Sequence, residues 1–121
     1  MDAKEYLLAF IEAFKKEGIT FEELKKFLTL TQQEECRYPN KISVEGTLMG
    51  LYSFIHRSSE IEIKEKYSHN EVLKDFVISF NIPALLGRPI TMQCRVIKES
   101  SIRKPHPEGH WGINISSFKK V

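Results

Sequence analysis

The residues with the most evident chemical potential lie together in the segment 103–111. This segment holds two adjacent cations, two of the four histidines and the only tryptophan, together with two prolines and a glycine. Proline and glycine disfavour the interior of helices and strands, so the segment is predicted to be an exposed loop. Exposed loops carry binding and catalytic residues more often than cores do, so this loop is the first place to look for a site.

The two histidines of this loop, His106 and His110, are four residues apart. On a helix this spacing would place both imidazoles on one face, where they can bind a zinc ion. Pro105, Pro107 and Gly109 argue against a helix, and no third ligand has a suitable spacing. We therefore expect no metal ion and no cofactor.

The same two histidines could act without a metal ion, one as general base and the other as general acid in the cleavage of a phosphodiester. Arg103 and Lys104 would then stabilise the negative charge that develops. However, the chain has no nucleophile elbow, phosphate-binding loop or dinucleotide-binding motif. We keep a histidine-based, metal-free nuclease as an alternative and expect a protein that binds without catalysis.

The net charge of +2 hides an asymmetry along the chain. Residues 1–79 contain 11 Lys and Arg against 14 Asp and Glu, a net charge of −3. Residues 80–121 contain 7 Lys and Arg against 2 Glu, a net charge of +5. A basic region that includes an aromatic residue is typical of a polyanion-binding surface, and nucleic acid is the partner we expect first.

Single-stranded nucleic acids are bound by cations along the phosphate backbone and by aromatic side chains under the bases. The candidate ligand-binding residues are Arg95, Lys98, Arg103, Lys104, His106, His110 and Trp111. Trp111 has an alternative role, because at the start of the last strand it could point into the core like Ile113 and Ile115. A protein partner is the alternative to nucleic acid, with the chain acting as an inhibitor, an immunity protein or an adaptor.

Length and composition set the broad class. With 121 residues, the chain is predicted to form a single domain. It has no apolar run of about 18 residues and no basic leader before an apolar segment, so we expect no membrane span and no signal peptide. Cys36 and Cys94 are too far apart for a zinc motif, and we expect two reduced thiols in a cytoplasmic protein. The sequence leaves the oligomeric state open.

Residues 1–30 are predicted to form a helical hairpin. Apolar residues at three- and four-residue spacing indicate a first helix over residues 3–17, and Gly18 is suited to end it. Thr20 followed by Glu23 is the pattern of a capping box at the start of a second helix. The apolar face of that second helix would consist of Phe21, Leu24, Phe27 and Leu28.

Residues 41–118 are predicted to form the antiparallel β region. Apolar and polar residues alternate in five segments, beginning near Ile42, Ile61, Phe76, Ile90 and Trp111. The fold class is therefore α+β, with the hairpin packed on a curved antiparallel sheet or small barrel of about five strands. The first of these segments is ambiguous, because residues 43–57 also fit a helical stripe. We favour a strand there, since Gly46 and Gly50 weaken a helix.

Overall fold

The computed structural model describes residues 2–29, 32, 44–85, 88–98 and 111–120. Within these residues the chain forms three α-helices and four β-strands. The helices are α1 (Ala3–Phe14), α2 (Phe21–Lys25) and α3 (Val44–Arg57). The strands are β1 (Glu60–Asn70), β2 (Leu73–Asn81), β3 (Ile90–Lys98) and β4 (Trp111–Lys120), with a 3₁₀ turn at Pro83–Leu85 before β3.

The two N-terminal helices are capped by side chains. Asp2 accepts a hydrogen bond from the backbone N–H of Glu5 at 2.8 Å, and Thr20 accepts one from Glu23 at 3.3 Å. Between them, Gly18 has a φ of +78°, a left-handed conformation that glycine adopts without strain. The predicted start of each helix is therefore confirmed.

The predicted second half of the hairpin is wrong, because α2 is a helix of only five residues. The backbone beyond it pairs with β4 instead of continuing the helix. The carbonyl of Phe27 accepts from the N–H of Ile113 at 2.9 Å, and the N–H of Thr29 donates to the carbonyl of Ile113 at 3.0 Å. Residues 27–29 thus extend the sheet, and the α1–α2 unit is not a hairpin of two comparable helices.

The strand predicted at the start of the β region is also wrong, because Val44–Arg57 is the helix α3. Val44, Leu48, Leu51 and Ile55 form its buried stripe. Burying each such side chain contributes about 1.5–3 kcal/mol, which outweighs the cost of about 1 kcal/mol that each glycine adds to a helix. Gly50 also has nothing within 4 Å of the position where a Cβ would be, so no close approach requires a glycine there.

The four strands form one antiparallel sheet in the order β1-β2-β3-β4. β1 and β4 are the edges, so of the two predicted forms, a curved sheet or a small barrel, the described strands form an open sheet. It has four strands and not the predicted five or so. The α+β class is confirmed. The four later segments of alternating residues that were predicted as strands correspond to β1, β2, β3 and β4.

The helices pack on one face of the sheet around a single apolar core. The side chain of Phe54 on α3 lies between Phe80 of β2 and Phe118 of β4, with ring centroids 5.9 and 5.6 Å apart. The core includes eight large side chains that are all buried: Phe10, Phe14, Leu28, Phe76, Ile78, Phe80, Met92 and Ile113. Phe27 is partly buried and packs against this core.

Cys94 belongs to this core. Burial raises the pKa of its thiol to about 12, and the negative charge of Asp75 adds to this effect. A thiol with such a pKa stays protonated at neutral pH, so Cys94 is a packing residue and not a nucleophile. Cys94 forms no disulfide with any described residue, and Cys36 lies outside the described residues.

Candidate functional site

The two faces of the sheet differ in what covers them. Successive strand residues point to opposite faces, and one set, which includes Phe76, Ile78 and Met92, packs under the helices. No described helix covers the other face, which we call the open face. Its central residues are Asp75, Val77 and Ser79 of β2 and Thr91, Gln93 and Arg95 of β3.

Four side chains of the open face meet near the turn between β1 and β2, and we call them the hairpin cluster: Tyr67, His69, Asp75 and Arg95. The strand register brings them together, because Asp75 is the partner of both Tyr67 on β1 and Arg95 on β3. Tyr67 and His69 are two residues apart on β1 and therefore share a face. Their ring centroids lie 4.4 Å apart in an edge-on arrangement.

An ion pair forms the centre of the hairpin cluster. Arg95 donates from Nε to Oδ1 of Asp75 at 2.8 Å and from Nη2 to Oδ2 at 3.2 Å. The Nε2 atom of His69 lies 3.1 Å from Oδ2 of Asp75 and 3.5 Å from Nη2 of Arg95. This two-pronged contact fixes the plane of the guanidinium group on the sheet.

The ion pair shifts the ionisation of both partners. The hydrogen bonds and charge of Arg95 hold the pKa of Asp75 below its usual value, and burial opposes this with a smaller effect. The hydrogen bond and charge of His69 also lower the pKa of Asp75. The hydrogen bond that Arg95 donates to Asp75 raises the pKa of Arg95. Because the Arg95 side chain is 48% exposed, solvent screens the pair, and we expect it to stabilise the fold by at most about 1 kcal/mol.

This ion pair predicts a pH dependence of stability. The pKa of Asp75 is lower in the folded state than in the unfolded state. The ionised carboxylate therefore stabilises the fold at pH values above the unfolded-state pKa, and this effect is lost as the pH falls through the folded-state pKa. We expect Asp75→Asn to lower the melting temperature at pH 7 and to change it little at pH 2. The opposite ordering in thermal scans monitored by circular dichroism would contradict the assignment.

Three of the seven predicted site residues are described, and they lie at two locations. Arg95 is on the open face, in the hairpin cluster. Lys98 and Trp111 are register partners at the end of β3 and the start of β4, and Nζ of Lys98 lies 5.8 Å from the centre of the Trp111 ring. The Trp111 ring stacks on Tyr6 of α1, with centroids 6.4 Å apart, and packs against the core. Trp111 and the open face are therefore on opposite sides of the sheet.

The remaining four predicted site residues lie outside the described residues: Arg103, Lys104, His106 and His110. They belong to the connection between β3 and β4. The two ends of that connection, Lys98 and Trp111, lie at the same end of the sheet as the turn between β1 and β2. The hairpin cluster is thus at the end of the sheet from which this connection departs.

Sequence reasoning missed Tyr67, His69 and Asp75. A signal was present, since Tyr67 and His69 alternate along one strand and Asp75 has the opposite parity to the buried Phe76. The register that joins them depends on two irregularities in the pairing of β1 with β2, between Glu65 and Tyr67 and between Ser68 and Asn70. Alternation alone does not reveal such irregularities.

Several further observations bear on function. Among the described residues, no group of three or more His, Cys, Asp or Glu side chains is arranged to hold a metal ion. None of the described helices has both the length and the apolar character needed to cross a bilayer. Comparison of the chain with protein-family models, curated proteins and solved structures found no match. Function must therefore be argued from the site itself.

Proposed function

We propose that this protein is a non-enzymatic binding module that holds single-stranded nucleic acid on the open face of its sheet. The observation that carries the proposal is the juxtaposition of Tyr67, His69 and Arg95 on a face that no described helix covers. Open antiparallel sheets that bind RNA stack its bases on aromatic side chains and on arginine planes. The hairpin cluster supplies both kinds of surface within a few ångströms.

The exposure of these side chains suits stacking. Tyr67 is 58% exposed, although it is a large aromatic residue within a strand. The ion pair with Asp75 compensates the charge of Arg95 and holds its guanidinium plane in a fixed orientation. Arg95 is therefore assigned to base stacking rather than to phosphate binding.

Phosphate contacts would come from cations outside the cluster. Lys119 of β4 is exposed and has the parity of the open face. Arg103 and Lys104 belong to the connection that leaves the sheet beside the cluster. This division of roles, with rings under bases and lysines or arginines along the backbone, is common in single-strand binding proteins.

Removing the exposed ring tests the proposal. We expect Tyr67→Ala to weaken the binding of a labelled single-stranded oligonucleotide about 5- to 100-fold, since one base–aromatic stack contributes about 1–3 kcal/mol. Fluorescence anisotropy with single strands of RNA and DNA, and with a duplex of the same sequence, measures this effect.

The chain offers a matched control. Tyr52 on α3 is 46% exposed and also packs on a histidine, with its ring 4.1 Å from that of His56. It lies on the helix side of the protein, so Tyr52→Ala should leave oligonucleotide affinity unchanged. Equal affinities for Tyr67→Ala and the unmodified protein, or an equal loss in the two variants, would refute the proposal.

The salt dependence of binding tests the role of the basic connection. Each phosphate contact releases counterions, so affinity must fall as salt rises. Replacing Arg103 and Lys104 by alanine should weaken binding to all sequences alike and reduce the salt slope by about one unit per lost contact. An unchanged slope across a salt series would remove these two residues from the interface.

A protein partner is the second candidate, and one observation favours it. Met49 and Tyr52 lie one turn apart on α3 and are 58% and 46% exposed. Large exposed apolar side chains on neighbouring turns are frequent at protein interfaces. If the chain were an inhibitor, immunity protein or adaptor, its partner would remain bound after nuclease treatment, and Tyr52→Ala rather than Tyr67→Ala would weaken the complex.

A further inference from the structure

The two edges of the sheet differ in how they are protected. Residues 27–29 pair with the backbone of β4, and the side chain of Gln32 extends this contact to Ile115. No described residue pairs with the outer edge of β1. The pairing of β1 with β2 is regular from Glu60 to Glu65 and irregular beyond that residue. The first half of β1 is therefore a regular strand edge open to a further strand.

The charges along this half-strand are arranged symmetrically about Ile63. Glu60 and Glu62 precede it, and Lys64 and Lys66 follow it at equal distances. An antiparallel pairing of β1 with a second copy, centred on Ile63, places Glu62 opposite Lys64 and Glu60 opposite Lys66. Two-fold symmetry makes each of these pairs occur twice, and opposite charges directly across a strand pair stabilise it.

Neighbouring registers lack this complementarity. A two-fold axis perpendicular to the sheet keeps the open faces of both copies on one side. Such an axis runs between the two strands, midway between one residue and its own copy, so each register is centred on a residue. Centred on Glu62, the pairing opposes Glu62 to its own copy, and centred on Lys64 it opposes Lys64 to its own copy. Centred on Ile61, it opposes Glu60 to Glu62. Only the register centred on Ile63 has no like charges directly opposite across this stretch.

In a single copy, the charged side chains of this half-strand are exposed and therefore accessible to a second copy. Glu60, Glu62 and Lys64 are exposed and form no ion pair with any described residue. Lys66 is also exposed but donates a 3.4 Å hydrogen bond to Gln93, which a pair with Glu60 of the second copy would replace. Ile61 and Ile63 are only partly buried, because they pack on the core from its edge. A second copy at this edge would bring the two Ile63 side chains together.

We propose that two copies of this chain associate through β1, antiparallel and centred on Ile63, to form one continuous sheet. The paired half-strands satisfy each other's outward backbone groups, and the two Glu62–Lys64 ion pairs, which lie within the regular stretch, set the register on the open face. The two open faces become one surface of eight strands. Because a single strand pair buries a small area, the dissociation constant is expected to be about 1–100 µM.

A charge exchange tests this register on the full chain. Sedimentation equilibrium at low salt should show a mass that rises with concentration from 14.1 kDa toward twice that value. Glu62→Lys and Lys64→Glu should each weaken the dimer at least about tenfold, because each turns two attractive pairs into two repulsive ones. The double variant Glu62→Lys/Lys64→Glu restores opposite charges and should return to within about threefold of the original affinity.

Lys119→Glu is the control, because it makes the same charge change as Lys64→Glu on the opposite edge of the sheet. It should leave the dimer intact, and circular dichroism shows whether each variant is folded. The proposal is overturned if the unmodified protein stays monomeric at about 1 mM, if a folded single variant dimerises as well as the original, or if the double variant remains monomeric.

Discussion

We expect Ile78→Asp to be largely unfolded at 25 °C. Ile78 is fully buried, and its cross-strand neighbour Met92 is equally inaccessible. An unpaired carboxylate in this position costs several kcal/mol, which is a large part of the 5–15 kcal/mol that stabilises a typical domain. Met92→Asp should behave in the same way. Far-ultraviolet circular dichroism and urea titration measure both variants.

The control for this prediction is a substitution on the same strands at a residue that points to the open face. Thr91 adjoins Met92 but lies on the open face, where its cross-strand neighbours are Ser79 and Lys119. Thr91→Asp should change the free energy of unfolding by less than about 1 kcal/mol. If Thr91→Asp destabilises the fold as much as Ile78→Asp and Met92→Asp do, the description of one covered and one open face is wrong.

The second large effect is expected at Gln32, which is 6% exposed. Its side-chain Nε2 donates to the carbonyl of Ile115 at 3.1 Å, and its Oε1 accepts from the N–H of the same residue. The amide thus occupies the place of a further strand residue against β4. Gln32→Ala would leave both backbone groups without their partner, at about 1–3 kcal/mol each. We expect a loss of about 2–5 kcal/mol in urea-unfolding free energy.

Two further variants distinguish the hydrogen bonds of Gln32 from its packing. Gln32→Glu keeps the shape but replaces the donor with an acceptor that faces the Ile115 carbonyl, so it should also be strongly destabilised. Gln93→Ala removes a partly exposed glutamine whose side chain accepts only a 3.4 Å hydrogen bond from Lys66, and should cost less than about 0.5 kcal/mol. A Gln32→Glu protein as stable as the original would show that the amide donor contributes nothing.

The parts of the fold that could be predicted are those in which local pattern and tertiary packing agree. The strand of Phe76, Ile78 and Phe80 alternates without interruption, and the structure buries these three residues. The caps at Asp2 and Thr20 depend only on residues three positions away, so local sequence suffices to locate them.

The sequence-based prediction was wrong for the segment in which a strand periodicity and a helix periodicity overlap. Residues 42–48 alternate like a strand, and two glycines reinforce that interpretation. The helical spacing of Val44, Leu48, Leu51 and Ile55 extends over a longer stretch, and tertiary burial of this stripe decides the outcome. The short α2 has a similar cause, since the apolar Phe27 and Leu28 continue its pattern but their backbone pairs with β4.

The candidate site was predictable only in part, because it depends on register. Arg95 could be assigned to the polar face of its strand from alternation alone. Its ion pair with Asp75 follows from the alignment of β2 and β3, which no local pattern specifies. Trp111 illustrates the same limit, since only the packing of α1 shows that its ring stacks on Tyr6.

The most direct test of the central claim is a nuclear magnetic resonance titration of the ¹⁵N-labelled protein with a single-stranded oligonucleotide. We predict that the largest amide shifts fall on β1, β2 and β3 around Tyr67, Asp75 and Arg95, while the amides of α3 around Tyr52 stay unchanged. Shifts confined to the helices would contradict the assignment of the open face as a nucleic-acid-binding surface. So would an absence of shifts at about 1 mM oligonucleotide, because the dissociation constant would then be larger than that of typical non-specific binding.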